Sequence, residues 1–78
     1  MIKVKAFADL TKYISKDGKF ETFFDNKGES VKVKDIVDFY NIPLDDIKII
    51  LVNGKDADLE TEVSDNDTVT FFSPVGGG

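Results

Sequence analysis

The segment Val33-Lys34-Asp35-Ile36-Val37-Asp38-Phe39-Tyr40 decides the fold of this 78-residue chain. Four of its residues are spaced i, i+3, i+4, i+7, which places an apolar stripe along one side of an α-helix: Val33, Ile36, Val37 and Tyr40. Phe39 flanks the stripe. The helix is expected to end before Pro43, because the residue ahead of a proline is pushed out of the α region. One helix with one apolar face requires a partner layer to bury it.

Two strands are predicted ahead of the helix. Residues 2–7 alternate with period 2 and put three apolar side chains on one face: Ile2, Val4 and Ala6. Residues 19–24 form a second strand, which follows a loose helical turn over 9–16 and a turn at Asp17-Gly18. The two strands are expected to pair as a hairpin with a long connection.

The remaining strands follow the helix. Residues 47–52 are apolar and end at Asn53-Gly54, a dipeptide typical of hairpin turns. The next stretch is polar and acidic, with at most a short strand at Ala57–Leu59, and the last strand runs over 68–73. The order strand, strand, helix, strand, short strand, strand predicts a two-layer α+β domain with a mixed sheet packed on the helix.

The composition limits the kinds of site and partner that this chain can have. The chain has no cysteine and no histidine, which removes thiolate metal sites and the usual general base, and we expect no metal site. Its formal net charge of −5 argues against a nucleic-acid partner and suits partners with basic rims. The longest apolar run, Ile49–Val52, is too short to cross a membrane. Because Met1 leads directly into a strand pattern, a cytoplasmic location is expected.

The element order and length resemble the β-grasp of ubiquitin. Three segments make the resemblance more specific: Met1-Ile2-Lys3-Val4, Val52-Asn53-Gly54, and the run from Asp65-Asn66-Asp67 through Phe71-Phe72-Ser73-Pro74-Val75 into glycines. Together they resemble the MoaD/ThiS family of sulfur carriers, and most closely the small subunit of molybdopterin synthase. The chain departs from that subunit at Ser73, where proline is common, and in its third glycine. The resemblance implies a β-grasp domain over 1–73 and a glycine tail over 74–78.

The glycine tail carries the expected chemistry. Glycine lets a backbone enter a slot in which any Cβ would clash. The resemblance implies that the Gly78 carboxylate is adenylated and then converted to a thiocarboxylate, while Gly76 and Gly77 are the residues inserted into the slot. No cofactor is expected on the chain itself, and ATP and Mg would be supplied at a ubiquitin-activating-type adenylyltransferase.

A docking surface is expected beside the tail. If Val69 and Phe71 face the core, the period of 2 turns Phe72 outward. Leu51, together with Ile49, is expected to face outward from the third strand, and Phe7 has the opposite parity to the buried residues of the first. The predicted partner-binding residues are Phe7, Leu51, Phe72, Pro74 and Val75.

The sulfur acceptor stays open at this stage. The molybdopterin synthase large subunit is the first expectation, and thiazole synthase or another thiolation enzyme is the alternative. A ubiquitin-like modifier joined to lysines needs the same adenylated glycine. A third alternative is an interaction module in which the glycines are incidental.

Overall fold

The structure is a computed structural model that describes residues 1–74. Within these residues, seven strands and two α-helices occur in chain order: β1 Ile2–Ala6, α1 Thr11–Ile14, β2 Glu21–Phe24, β3 Val31–Lys32, α2 Val33–Tyr40, β4 Ile49–Val52, β5 Lys55–Asp56, β6 Glu62–Val63 and β7 Thr68–Phe72. Two 3₁₀ turns, Ala8–Leu10 and Leu44–Asp46, lie in the connections.

Five of the strands form one mixed sheet. Their order is β2-β1-β7-β4-β5, and β1 and β7 are parallel whereas the other neighbours are antiparallel. The two short strands β3 and β6 pair separately. The predicted α+β class, with a mixed sheet and one main helix, is confirmed.

The core lies between this sheet and α2. Alternation along β1 and β7 sends every second residue toward the helix, where the apolar stripe of α2 meets them. The fully buried apolar side chains of the described residues are Ile2, Val4, Ala6, Leu10, Val33, Ile36, Val63, Val69 and Phe71. They form one cluster, against which Ile50 and Val52 of β4 pack.

Both ends of α2 agree with the prediction from sequence. At its start, the N–H groups of Val33 and Lys34 donate to the carbonyls of Thr61 (2.9 Å) and Leu59 (3.0 Å). These bonds satisfy donors that a helix leaves unpaired. At its end, Asn41 takes the left-handed conformation (φ 56°) one residue before Ile42 and two before Pro43. The two hydrogen bonds at the start of α2 also hold residues 59–61 against the helix.

Several boundaries differ from the sequence prediction. β2 begins at Glu21 instead of residue 19, since the chain bends at Phe20, and β4 begins at Ile49 because the 3₁₀ turn ends only at Asp46. The short strand expected at Ala57–Leu59 lies at Lys55–Asp56 instead. Asn53 and Gly54 (φ 53° and 82°) form a two-residue turn. β5 therefore pairs with β4 directly after the turn, with Val52 opposite Lys55. β3 and β6 were not predicted.

The first and the last strand along the chain also end one residue earlier than predicted. β1 stops at Ala6, because Ala8 adopts φ 57°, and β7 stops at Phe72 instead of Ser73.

A hydrogen-bonded clasp joins the β4–β5 turn to the start of β7. The Asn53 side chain donates from Nδ2 to Asp67 Oδ1 (2.9 Å) and accepts the N–H of Thr68 at Oδ1 (2.9 Å). Asp67 Oδ2 also accepts the N–H of Ser64 (2.8 Å). The Asn53 hydrogen bond, followed by that of Ser64, lowers the pKa of Asp67 below its ordinary value. Two of the segments on which the family resemblance rests therefore contact each other.

Candidate functional site: an aromatic row on the open face of the sheet

β7 presents two different faces. Val69 and Phe71 are fully buried against the helix, whereas Thr70 and Phe72 point to the opposite, open face of the sheet and are only partly buried. The register extends this division to β4: Ile50 lies opposite Phe71, and Ile49 lies opposite Phe72. The observed directions agree with those expected from the sequence for both strands.

Three phenylalanines stack in a row across the open face. The ring of Phe7 lies 5.2 Å from that of Phe72 and 5.3 Å from that of Phe20, with interplanar angles of 12° and 21°. Stacked pairs of this kind contribute about 0.5–1.5 kcal/mol beyond their buried area. We call Phe20, Phe7 and Phe72 the aromatic row. Ile49, 43% exposed and paired with Phe72, extends it onto β4.

The end of β1 holds Phe7 in this row. The Phe7 N–H donates to the carbonyl of Phe71 (3.2 Å), so Phe7 lies beside β7 although it is past the end of its own strand. Ala8 then turns the chain away at φ 57°, and Thr11 Oγ1 donates to the carbonyl of Ala6 (2.9 Å). A left-handed alanine is uncommon and costs conformational energy. The chain thus leaves the sheet sharply, directly after Phe7.

The structure brings some of the predicted docking residues together. Phe7 and Phe72 stack, and Leu51 lies on the same face of β4 two residues after Ile49, opposite Thr70. Pro74 is exposed two residues after Phe72. The other predicted site residues lie outside the described residues: Val75, Gly76, Gly77 and Gly78.

Two members of the surface were not assigned to it from sequence. Ile49 was expected to face outward but was not placed beside Phe72, because alternation within a strand does not reveal that β4 pairs with β7. Phe20 is the larger omission. Strand alternation sets it opposite Ala6, whose N–H donates to the Phe20 carbonyl (2.9 Å), and so predicts an inward side chain. The bend at Phe20 instead brings its ring, 50% exposed, against Phe7.

Charge on the open face is balanced. Lys5 lies opposite Thr70 and next to the aromatic row, and Lys3 pairs with Glu21 at 4.0 Å. Asp56 of β5 lies opposite Leu51. The strands therefore place two cations and two anions on this face, although the chain as a whole carries −5. The acidic excess belongs to other surfaces.

Residues 1–74 contain no group of three or more acidic, histidine or cysteine side chains arranged to hold a metal ion. Within the same residues, none of the helices has the length and apolar character needed to cross a bilayer.

Comparison with known proteins finds a matching family and a solved structure of similar fold. The family described as Mut7-C ubiquitin matches residues 1–75. Among solved structures, the crystal structure of SAMP1 from Haloferax volcanii superimposes with a TM-score of 0.71 at 24% sequence identity, covering 99% of this chain and 98% of that one. No curated protein matches the sequence.

The fold and its open face define a ubiquitin-like β-grasp protein. The chain belongs to the Mut7-C ubiquitin family. The ubiquitin-like class and the β-grasp fold, expected from the sequence, are confirmed by these findings.

Proposed function

We propose that this chain is a ubiquitin-like sulfur carrier for molybdopterin biosynthesis, with a thiocarboxylate on Gly78 as the transferred group. The observation that carries the proposal is the position of the aromatic row. Phe72 closes β7 only two residues before the exposed Pro74, after which the sequence runs into three glycines. A partner that docks on the row is within reach of the tail.

The proposed chemistry takes place on the carboxyl group of Gly78. A carboxylate oxygen attacks the α-phosphorus of ATP, pyrophosphate leaves, and an acyl-adenylate is formed. A sulfide equivalent from the partner then attacks the acyl carbon, and AMP leaves with the carboxyl oxygen that it received. The product is a thiocarboxylate, which acts as a soft nucleophile toward the cofactor precursor. The carrier supplies no acid, base or metal in this scheme, and Mg-ATP is bound by the activating enzyme.

Two partners use the carrier in succession in this proposal. The first is a ubiquitin-activating-type adenylyltransferase, and the second is the synthase subunit that accepts the sulfur. Four extended residues, Val75 to Gly78, span about 13 Å. Such a tail cannot serve two distant docking sites, so both partners are proposed to cover the aromatic row and to exclude each other.

Intact-mass analysis of the protein purified from its native host tests the class of function. A gain of about 16 Da on the C-terminal residue, oxygen replaced by sulfur, supports the carrier. Adducts on lysines of other proteins, with no thiocarboxylate, would instead favour a ubiquitin-like modifier. Detection of neither product under conditions of active cofactor synthesis contradicts the proposal.

ATP–pyrophosphate exchange with the activating enzyme tests the position of the reactive residue. Deletion of Gly78 should abolish exchange, since the carboxylate is then one residue too short for the active site. Gly77→Leu should reduce exchange by steric exclusion while leaving binding of the globular domain intact. Glu29→Ala, an exposed change in the loop after β2, is the control outside the tail and the docking surface. Exchange at the wild-type rate after deletion of Gly78 would overturn the assignment.

A further inference from the structure

The open edge of β2 is unusually apolar. β2 is one of the two edge strands of the five-stranded sheet described for residues 1–74, and β5 is the other. Three of the six most exposed large apolar side chains of that part of the chain lie on β2 or against it: Phe20 (50%), Phe23 (57%) and Phe39 (65%). Phe39, from α2, contacts Phe24 edge to face at 5.2 Å. An exposed apolar edge strand is a template for pairing with another strand.

The hydrogen-bonding groups of this edge follow from its ladder with β1. The Ala6 N–H donates to the Phe20 carbonyl, and the register continues through Val4 opposite Thr22. Residues of an antiparallel strand bond alternately to one side and to the other. The backbone groups of Thr22 therefore point toward β1, and those of Glu21 and Phe23 point away from the sheet.

We propose that this edge pairs with β2 of a second copy of the chain in antiparallel orientation, which continues the sheet across a two-fold axis. Only registers that set outward-bonding residues opposite each other are possible. Among them, an axis at Thr22 or Phe23 pairs three β2 residues of each copy, whereas an axis at Phe20, Glu21 or Phe24 pairs at most one. A Glu21-centred register places Glu21 opposite itself, and a Phe23-centred register places Glu21 opposite Asp25. Both set like charges against each other, which destabilises cross-strand pairing.

The Thr22-centred register avoids this repulsion. Each Glu21 then lies opposite a Phe23, and two Thr22 side chains meet at the axis as a β-branched pair. The flanking residues are complementary, because Lys19 of each copy falls opposite Asp25 of the other. This self-complementarity identifies a second copy as the occupant of the edge.

The geometry of such a dimer is compatible with the remaining surfaces. Antiparallel strands of one sheet are related by an axis perpendicular to it, so both α2 helices lie on the same side. Phe39, held by Phe24 and by Tyr40 (rings 4.9 Å apart), then faces the axis from each copy. Phe7 and Phe72 are on the opposite face and stay accessible. Phe20 is the one member of the aromatic row that lies next to the paired edge, and the test of the dimer does not depend on the proposed sulfur chemistry.

Disulfide cross-linking tests the register directly, because the full chain has no cysteine of its own. In the Thr22-centred register, residue 22 faces its own copy in a non-hydrogen-bonded pair with Cα atoms about 4.5 Å apart, within disulfide range. Thr22→Cys should therefore cross-link at least about tenfold faster than Glu21→Cys or Phe23→Cys, whose like residues are more than about 7 Å apart. Asp58→Cys is the control away from the edge. Faster cross-linking of Phe23→Cys would overturn the register.

Sedimentation equilibrium of the unmodified chain tests association itself. The mass should rise with concentration toward twice the 8.7 kDa of the monomer. Phe23→Pro, which removes an outward N–H, should hold the mass at the monomer value, and Phe23→Ala separates that effect from loss of the ring. Circular dichroism checks that both variants fold. A monomer at all concentrations up to about 1 mM would overturn the proposal.

Discussion

Phe71 and Phe72 are neighbours in one strand, yet they belong to two different regions of the molecule. Phe71 is fully buried between the sheet and α2, while Phe72 stacks on Phe7 at the open face. The helix-facing side of the sheet is filled mainly by aliphatic side chains that are hidden from water. The open side carries the aromatic row, whose rings cover part of one another and are otherwise accessible to water. Because successive residues of a strand point to opposite faces, neighbouring residues of β7 belong in turn to the core and to the open face.

The two faces also differ in what a substitution removes. A side chain of the inner face contacts the whole core, so its loss leaves a cavity. In the aromatic row, Phe7 has a ring on each side, whereas Phe20 and Phe72 each stack on one ring and leave the rest of their surface to water or a partner. Substitutions on the helix-facing side should therefore act mainly on stability, and substitutions in the aromatic row mainly on binding.

The largest expected effect on stability is that of Phe71→Ala. Truncation of a fully buried phenylalanine should lower the free energy of unfolding by about 3–5 kcal/mol, since it removes apolar burial and leaves a cavity. Phe72→Ala, the matched change one residue away, should cost about 1 kcal/mol through the lost stacking on Phe7. Urea unfolding followed by circular dichroism measures both. Equal losses would show that the two faces are not separate.

The next effect concerns binding. Phe72→Ala should weaken binding of the activating enzyme by about 2 kcal/mol or more if Phe72 is an aromatic anchor of the docked complex. Phe39→Ala removes an exposed ring from the opposite side of the molecule and serves as the control. Isothermal titration calorimetry with the purified partner gives both affinities. If both variants bind like wild type, the aromatic row is not the docking surface.

The regions predicted well from sequence are those in which one period dominates. The stripe of α2 and the alternation in β1 and β7 assigned the core, because burial on one side leaves a clear pattern. β3 and β6 have two residues each, too few for any period, and their pairing depends on distant segments. Phe20 was missed for a related reason: a bend in the chain overrides the parity of its strand. The Mut7-C ubiquitin family was not named from sequence, although the ubiquitin-like class was.

A smaller effect is expected at the clasp that positions β7. Asn53→Gly removes both side-chain hydrogen bonds while keeping the left-handed backbone that Asn53 adopts (φ 53°), and it should cost about 1 kcal/mol. Asn66→Gly is the control, since Asn66 is also left-handed (φ 74°). Thermal unfolding of the two variants at neutral pH provides the comparison. Equal losses would mean that the Asn53 hydrogen bonds do not stabilise the fold.

The clasp also predicts a pH dependence. The folded-state pKa of Asp67 is lowered, so its contribution to stability is present above the ordinary carboxyl pKa of about 4 and is lost as the pH falls through the folded-state value. Wild type should therefore lose more stability than Asn53→Gly on acidification from pH 6 to below about pH 3. Parallel pH profiles for the two proteins would contradict the assigned cause of the shift.

The smallest expected effect is that of salt on association with the activating enzyme. A net charge of −5 led us to expect basic rims on the partners, but the open face itself is balanced, with Lys5 next to the aromatic row. Steering by nearby charges should therefore change the association rate by no more than about threefold between low and physiological salt. Lys5→Glu and Lys27→Glu alter the net charge equally, and Lys27 lies in the loop after β2. Stopped-flow rates should respond more to the change at Lys5. An equal response, with a steep salt dependence, would show that the charge of the whole molecule governs the encounter.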